Sequence, residues 1–405
     1  MKATEEPLEA VCTRISSGGT PSRRKPEYFT FESSGHLWVK SKELLDAGIA
    51  DTEEKISEEG LNNSSAKYFP ERTVLIAMYG ANVGQLGWLR KSATVNQAVC
   101  GLVVDGKKAD WQYVFYSLLL NRGDLVVQAQ GAAQQNLNQD LIRQFCISLP
   151  SRTSQRRIAA ILSAYDDLIE NNLRRIKTLE EMARALYREW FVEFKFPGHA
   201  KVPRVESAFG PTPKGWELKR LGDIAEDMRR NVPKGELDEP RPYVGLEHIP
   251  RRALTLDAWE TATEIGSNKL EFKTGEVLFG KIRPYFHKVS VAPFDGLCSA
   301  DTIVIRPRRP EDYAIVVACV SSDDFVAHAS ATANGAKMPR ANWDVLKMYK
   351  VIMPTGEVSE RFSRVFRDII AGQQVLMFQV QNLRRTRDLL LPRLLSGQVK
   401  IEITK

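Results

Sequence analysis

At 405 residues, 43% of them apolar, the chain is long enough for two to three domains that each bury a core. No run of 18 or more apolar residues occurs, and the opening Met1-Lys-Ala-Thr-Glu-Glu-Pro7 lacks the apolar stretch of a signal peptide. A membrane span is therefore not expected, and the expected location is cytoplasmic. The formal charge of +7 is compatible with nucleic acid, but no segment is a basic tail, so folding would have to gather the basic side chains onto one face.

Residues 1–150 hold short apolar runs rich in β-branched and aromatic residues, punctuated by Gly, Asn and Pro, which read as strands and tight loops. Among them, Gly80-Ala-Asn-Val-Gly84-Gln-Leu-Gly87 has neither dinucleotide-binding nor Walker spacing and reads as a tight turn between strands. After Leu149-Pro150 comes a long helix, from about Thr153 to Phe194. Its stripe Leu162, Tyr165, Ile169, Asn172, Ile176, Leu179, Ala183, Leu186 follows strict 3-4 spacing, a heptad seam. From Leu162 to Leu186 it would extend about 36 Å at 1.5 Å per residue. Four prolines between Phe196 and Gly215 give that stretch a linker composition.

The second half repeats the first at a separation of about 204 residues. Gly131-Ala-Ala-Gln-Gln-Asn-Leu-Asn-Gln-Asp-Leu-Ile142 falls on Gly335-Ala-Lys-Met-Pro-Arg-Ala-Asn-Trp-Asp-Val-Leu346. Phe69-Pro-Glu-Arg-Thr-Val-Leu-Ile-Ala77 matches Phe272-Lys-Thr-Gly-Glu-Val-Leu-Phe-Gly280, now 203 apart. Leu37-Trp-Val39 resembles Pro242-Tyr-Val244. The second helical stripe is Phe366, Ile369, Gln373, Leu376, Val380, Leu383, Arg387, Leu390, ending near Pro392 and Gly397. An antiparallel pairing that sets Leu162 opposite Leu390 brings Ile176 to Leu376 and places Tyr165 against Arg387 for a cation–π contact.

The expected fold is therefore α+β. Two similar mixed α/β domains are separated by two long helices forming an antiparallel coiled coil, a pseudo-twofold internal repeat. The expected boundaries are 1–150, the first helix at 151–195, a Pro-rich linker at 196–214, the second domain at 215–354, and the second helix with a tail at 355–405.

Catalytic chemistry is not evident. No Asn/Asp-Pro-Pro-aromatic tetrapeptide, P-loop or G-x-S-x-G elbow occurs, and the five histidines share no metal-ligand spacing. No metal and no cofactor are expected. The five cysteines form no C-x-x-C pair and read as buried free thiols, and Asp166-Asp167 and Asp323-Asp324 as solvated helix faces.

The order of several motifs resembles the specificity (S) subunit of Type I restriction–modification enzymes, over nearly the whole chain. These are Ser17-Gly-Gly-Thr-Pro-Ser22, Leu137-Asn-Gln-Asp-Leu-Ile142, Gln155-Arg-Arg-Ile-Ala-Ala-Ile-Leu162, Pro213-Lys-Gly-Trp-Glu-Leu-Lys-Arg-Leu-Gly-Asp-Ile224, Phe279-Gly-Lys-Ile-Arg-Pro-Tyr285 and Leu391-Pro-Arg-Leu-Leu-Ser-Gly397. The family's Glu-Gln at the helix start is Ser154-Gln155 here. The resemblance implies two target-recognition domains that read a split, asymmetric double-stranded DNA site, and helices that act as a ruler. It also implies two docked adenine-methyltransferase subunits, with a motor-nuclease subunit joining for cleavage and no catalysis by the chain itself. The alternatives are a specificity subunit of a methylation-only defence system, an unrecognised catalytic subunit, and a coiled-coil adaptor without DNA binding.

Arg, Lys, Asn and Gln on loops are the groups that read bases, while Lys, Arg and hydroxyls take phosphates. The candidates in the first half are Arg23 and Arg24 in the loop Thr20-Pro-Ser-Arg-Arg-Lys25, then Lys40, Lys42, Tyr79, Asn82 and Gln135 within Gln134-Gln-Asn136. In the second half they are Lys281, Arg283, Tyr285 and His287, whose alternation predicts one face of a strand, followed by Asn334, Lys337 and Arg340.

Overall fold

The computed structural model describes residues 4–130, 136–207 and 210–399. The chain forms two compact units, Met1–Leu168 with Leu383–Lys405, and Ile169–Asn382, so both long helices are divided between them.

In the first unit a five-stranded sheet takes the order Cys12–Ser17, Val99–Val104, Val74–Ala77, Leu86–Leu89, Ala47–Ile49. Strand side chains alternate between faces. Here Val74, Ile76, Cys100 and Leu102 enter one apolar cluster, and Leu75, Ala77 and Val99 enter another. A sheet covered on both faces needs an unbroken apolar run, which is why Val74–Ala77 shows no polar alternation. The second unit builds the same device: Val277, Phe279, Ile303 and Ile305 face one cluster, Leu278 and Val304 the other.

The registers show that the repeat is structural. Leu75 pairs with Gly101 and Ala77 with Val99; 203 residues on, Leu278 pairs with Val304 and Gly280 with Thr302. The parallel pair Trp38–Thr94 and Val39–Val95 returns as Tyr243–Leu297 and Val244–Cys298. Each unit is closed by a short antiparallel pair, Thr4–Pro7 with Cys146–Leu149 and Glu217–Arg220 with Lys350–Met353.

The first long helix, Arg152–Tyr187, starts where the Ser151 hydroxyl accepts from the Ser154 amide at 3.3 Å. Buried Gln155 explains part of the motif at its start. Its amide nitrogen donates to the Pro150 carbonyl at 2.9 Å, and its oxygen accepts from the Asp110 amide at 2.9 Å. That amide belongs to the cap of the helix Trp111–Leu120, so Gln155 ties the long helix to its own domain. The helix ends in a π-helical turn, Arg188–Val192, before Phe194 at φ 56. The second long helix, Gly356–Leu395, runs through Pro392 in its last turn and stops before Gly397, whose φ of 73 suits the position after a helix cap.

The two helices run antiparallel. In the first unit Ile158, Ala159 and Leu162 share an apolar cluster with Leu391 and Leu394. In the second unit Ile176 clusters with Leu376 and Met377, Asn172 donates to Gln379 at 3.3 Å, and Trp190 and Phe191 join Phe362 and Phe366. Of the seam positions, Leu162, Ile169, Asn172, Ile176, Ala183, Phe366, Ile369, Gln373, Leu376 and Val380 are buried. Tyr165, Leu179, Leu186, Leu383, Arg387 and Leu390 are half-buried.

Some expectations are corrected. No cation–π contact joins Arg387 to Tyr165 among the described residues. Arg387 instead donates to Asp166 Oδ1 at 2.6 Å, while Tyr116 donates to Asp166 Oδ2 at 2.5 Å. A guanidinium leaving water gains more from a carboxylate than from a ring face, so the neighbouring position takes the contact. Asp166 is thus not a solvated helix residue, whereas Asp167 is exposed. The stretch with linker composition carries a hairpin, Arg204–Ser207 with Gly210–Pro213, and Phe196 is buried in the second unit's core. The cysteines are free, but Cys146 is exposed; burial pushes the thiols of Cys12, Cys100, Cys298 and Cys319 up to about 12.

Candidate nucleic-acid interface

In each unit three loops meet at the end of the central strand, joined by equivalent backbone bonds. In the first unit the Met78 amide donates to the Ala98 carbonyl and the Leu137 amide to the Met78 carbonyl, both at 2.8 Å. In the second, Lys281 donates to Asp301 at 2.8 Å and Ala341 to Lys281 at 2.9 Å. The turn itself is also shared. Val83 donates to Gly80 and Ala77 to Gln85, and the counterparts are Phe286 to Arg283 and Gly280 to Lys288. Gly80–Gly84 is the tight turn between strands that the sequence predicts, with φ of 83 and 79 at its two glycines.

Different side chains stand on this common scaffold. In the first unit Arg23 is bidentate to Glu54 at 2.7 and 2.9 Å, and its guanidinium lies 4.1 Å from the Phe29 ring centre. Lys40 reaches Glu54 at 3.2 Å, and Lys42 pairs with Glu53. Hydrogen bonds from Arg23, with Lys40 adding to them, hold the Glu54 carboxyl below its usual range although burial opposes this. The positive charge of Arg23, Lys40 and Lys42 is therefore largely answered inside the unit. Arg24 is exposed. The Tyr79 hydroxyl donates to the Gln97 carbonyl and Thr20 to the Gln97 side chain, so exposed Gln97, absent from the sequence reading, ties two candidate loops together. Asn82 is half-buried, Asn136 is exposed, and Gln135 lies outside the described residues.

In the second unit Lys281 donates to the Ala300 carbonyl at 2.8 Å, Tyr285 is exposed, Lys337 is exposed, and Arg340 lies 3.5 Å from Asp301. Asn334 and Arg340 exchange backbone hydrogen bonds at 3.0 and 2.8 Å, and Ile282 bridges to Arg340. This joins the 281–287 and 334–340 segments into one surface. The predicted alternation fails. The strand ends at Gly280, Arg283 and His287 are left-handed, and Pro284–Phe286 is a 3-10 turn. His287 is buried and hydrogen-bonded to the Ser321 carbonyl at 2.9 Å, away from the others.

Arg251 and Lys288 complete this surface and were missed by the sequence reading. The two residues bridge, the Arg251 guanidinium lies 4.0 Å over the Phe286 ring, and Lys288 reaches the Leu246 carbonyl. Burial, with Arg251 nearby, lowers the Lys288 pKa. Arg251 lies more than thirty positions upstream in a segment with no motif, and only the fold brings it near. Among the described residues no group of His, Cys, Asp and Glu could hold a metal ion.

Residues 21–181 match the family described as the Type I restriction modification DNA specificity domain. The MjaIX specificity subunit of Methanocaldococcus jannaschii is 24% identical over 96% of this chain and 91% of its own. The EcoDI specificity subunit of Escherichia coli is 23% identical over 86% of this chain and 82% of its own. Residues 21–181 thus carry a Type I restriction modification DNA specificity domain, and the chain is similar over most of its length to Type I specificity subunits. The crystal structure of a Type I S subunit from M. genitalium shares the fold, with a TM-score of 0.61 at 14% identity over 97% of this chain and 96% of that one. No helix among the described residues is long and apolar enough to cross a membrane.

Proposed function

We propose that the chain is a Type I restriction–modification specificity subunit that reads a bipartite, asymmetric double-stranded DNA site, one unit per half-site, through the three-loop face of each. Two adenine-methyltransferase subunits dock on the paired helices and carry the chemistry. A motor-nuclease subunit joins where the system also cleaves. The chain itself is a non-catalytic reader.

The observation that carries this reading is the repeated scaffold with unlike side chains. Loops held by a rigid frame are where recognition resides. Two frames with the same backbone but different loop residues suit two unlike half-sites. Exposed apolar side chains on the helices, Leu168 and Leu389 in the first unit and Val375 and Phe378 in the second, support a protein partner there.

The test is a mobility-shift and methylation assay of the chain co-purified with its methyltransferase partner. Specific retardation and adenine methylation at a split motif are expected, with neither from the chain alone plus S-adenosylmethionine. Methyl transfer by the chain alone, or a complex without sequence preference, would overturn the reading.

A further inference from the structure

The turn at the end of the central strand has the same backbone in both units but not the same residues. Two of its positions are left-handed: Gly80 and Gly84 in the first unit, Arg283 and His287 in the second, at φ of 50 and 53. Glycine takes that conformation freely, whereas a side chain with a Cβ is strained there. The second unit thus keeps an arginine at a position where its own paralogous turn uses the unstrained residue. Such strain concentrates at functional positions held by their surroundings. The surroundings do hold this one, since the Arg283 amide donates to the Pro339 carbonyl at 2.8 Å.

The side chain is also available. Among the described residues neither Arg283 nor Arg251 has a carboxylate within 4.0 Å, unlike Arg23 on Glu54. Both guanidinium groups lie against Phe286, Arg251 at 4.0 Å and Arg283 at 5.8 Å from the ring centre. An aromatic support orients the planar group while leaving its donors free.

We propose that Arg283 is a base-reading residue of the second unit, presenting its paired donors to a guanine edge in the major groove, and that Arg251 beside it takes a backbone phosphate. This rests on the DNA-reading function proposed above and assigns one position of one half-site to one residue. A phosphate contact carries no sequence information and does not require a fixed turn position. A bidentate pair with guanine O6 and N7 does require one.

The experiment uses the full chain with its methyltransferase partner. The wild type, R283A, R283G and R251A are compared by methylation mapping and by titration on cognate and random duplexes. R283A and R283G should weaken cognate binding by roughly 10- to 100-fold. They should also make one position of the second half-site degenerate and leave the first half-site and random-duplex binding unchanged. R283G should keep its melting temperature or raise it by about 2–4 °C, since glycine relieves the strain. R251A should weaken all duplexes alike and lower the salt dependence by about one contact. An unaltered motif in R283A, or equal loss on cognate and random duplexes, would overturn base reading by Arg283. A fall in melting temperature of R283G in parallel with its binding would make the residue structural. A wild-type complex with no bipartite motif would instead remove the proposed function.

Discussion

Replacing Arg387 with Met keeps most of the side-chain bulk and removes the charge that meets Asp166 in the first unit. The pair is bonded at 2.6 Å, with the two side chains only 17% and 29% exposed. An exposed pair is worth about 0–1 kcal/mol and breaking a fully buried one costs about 3–5 kcal/mol, so this partly covered pair should cost about 2 kcal/mol. Two details refine the figure. Arg387 also reaches Asp388 at 2.8 Å, so D166N strands the guanidinium less than R387M strands the carboxylate. Burial lowers the Arg387 pKa, but Asp166 and Asp388 outweigh that and raise it, so the group stays charged. Burial and the Asp166 charge together raise the Tyr116 pKa, which leaves its hydroxyl a firm donor to Asp166. Urea unfolding of the wild type, R387M, D166N and the double variant gives the coupling directly. About 1–2 kcal/mol of coupling is expected at unchanged denaturant slope, largely retained in 0.5 M salt. A cost for R387M below about 0.5 kcal/mol, or no coupling, would show a solvent-screened pair that contributes nothing to fixing the helix register.

Gly18 lies where a Cβ would come 1.8 Å from the Val95 carbonyl oxygen, so G18A should cost about 2–3 kcal/mol, read as a lower urea midpoint. Gln373 is buried in the coil seam with its amide nitrogen unbonded among the described residues, so Q373L should raise stability by about 1 kcal/mol in the same assay. Burial lowers the His287 pKa, which the Ser321 carbonyl and Asp323 oppose and Arg252 and Arg184 reinforce. Its contribution is full above the unfolded value of about 6.5 and is lost as pH falls through the lower folded value. The urea midpoint should therefore fall between pH 7.5 and 5.5. That fall should shrink in H287N, since Asn tolerates the left-handed backbone and cannot titrate.

The coil and the repeat were legible because each rests on spacing. The 3-4 apolar period survives any tertiary detail, and equal strand registers leave equal apolar runs. The buried face is wider than the 3-4 seam. Phe362, Ile370, Met377 and Leu394 are also buried, because a helix that packs on a globular domain needs a wider apolar face than a two-helix seam. The interface was less legible. Nothing in Thr20–Lys25 announces that Glu54 will take Arg23, a pairing thirty-one residues long that only the sheet brings together. The even spacing of Lys281, Arg283, Tyr285 and His287 suggested a strand, but Pro284 and two left-handed residues turn the chain. Side chains two apart then part company, with His287 buried and Tyr285 exposed.

The proposed pair of reading units on a repeated scaffold makes a definite demand on the DNA. Mapping N6-methyladenine across a genome that carries this chain and the proposed methyltransferase partner tests that demand most directly. The account predicts one split motif, two unlike specific blocks separated by a constant unspecified gap, which disappears when the chain is deleted. A continuous motif, a palindromic one, or methylation indifferent to the deletion would contradict it.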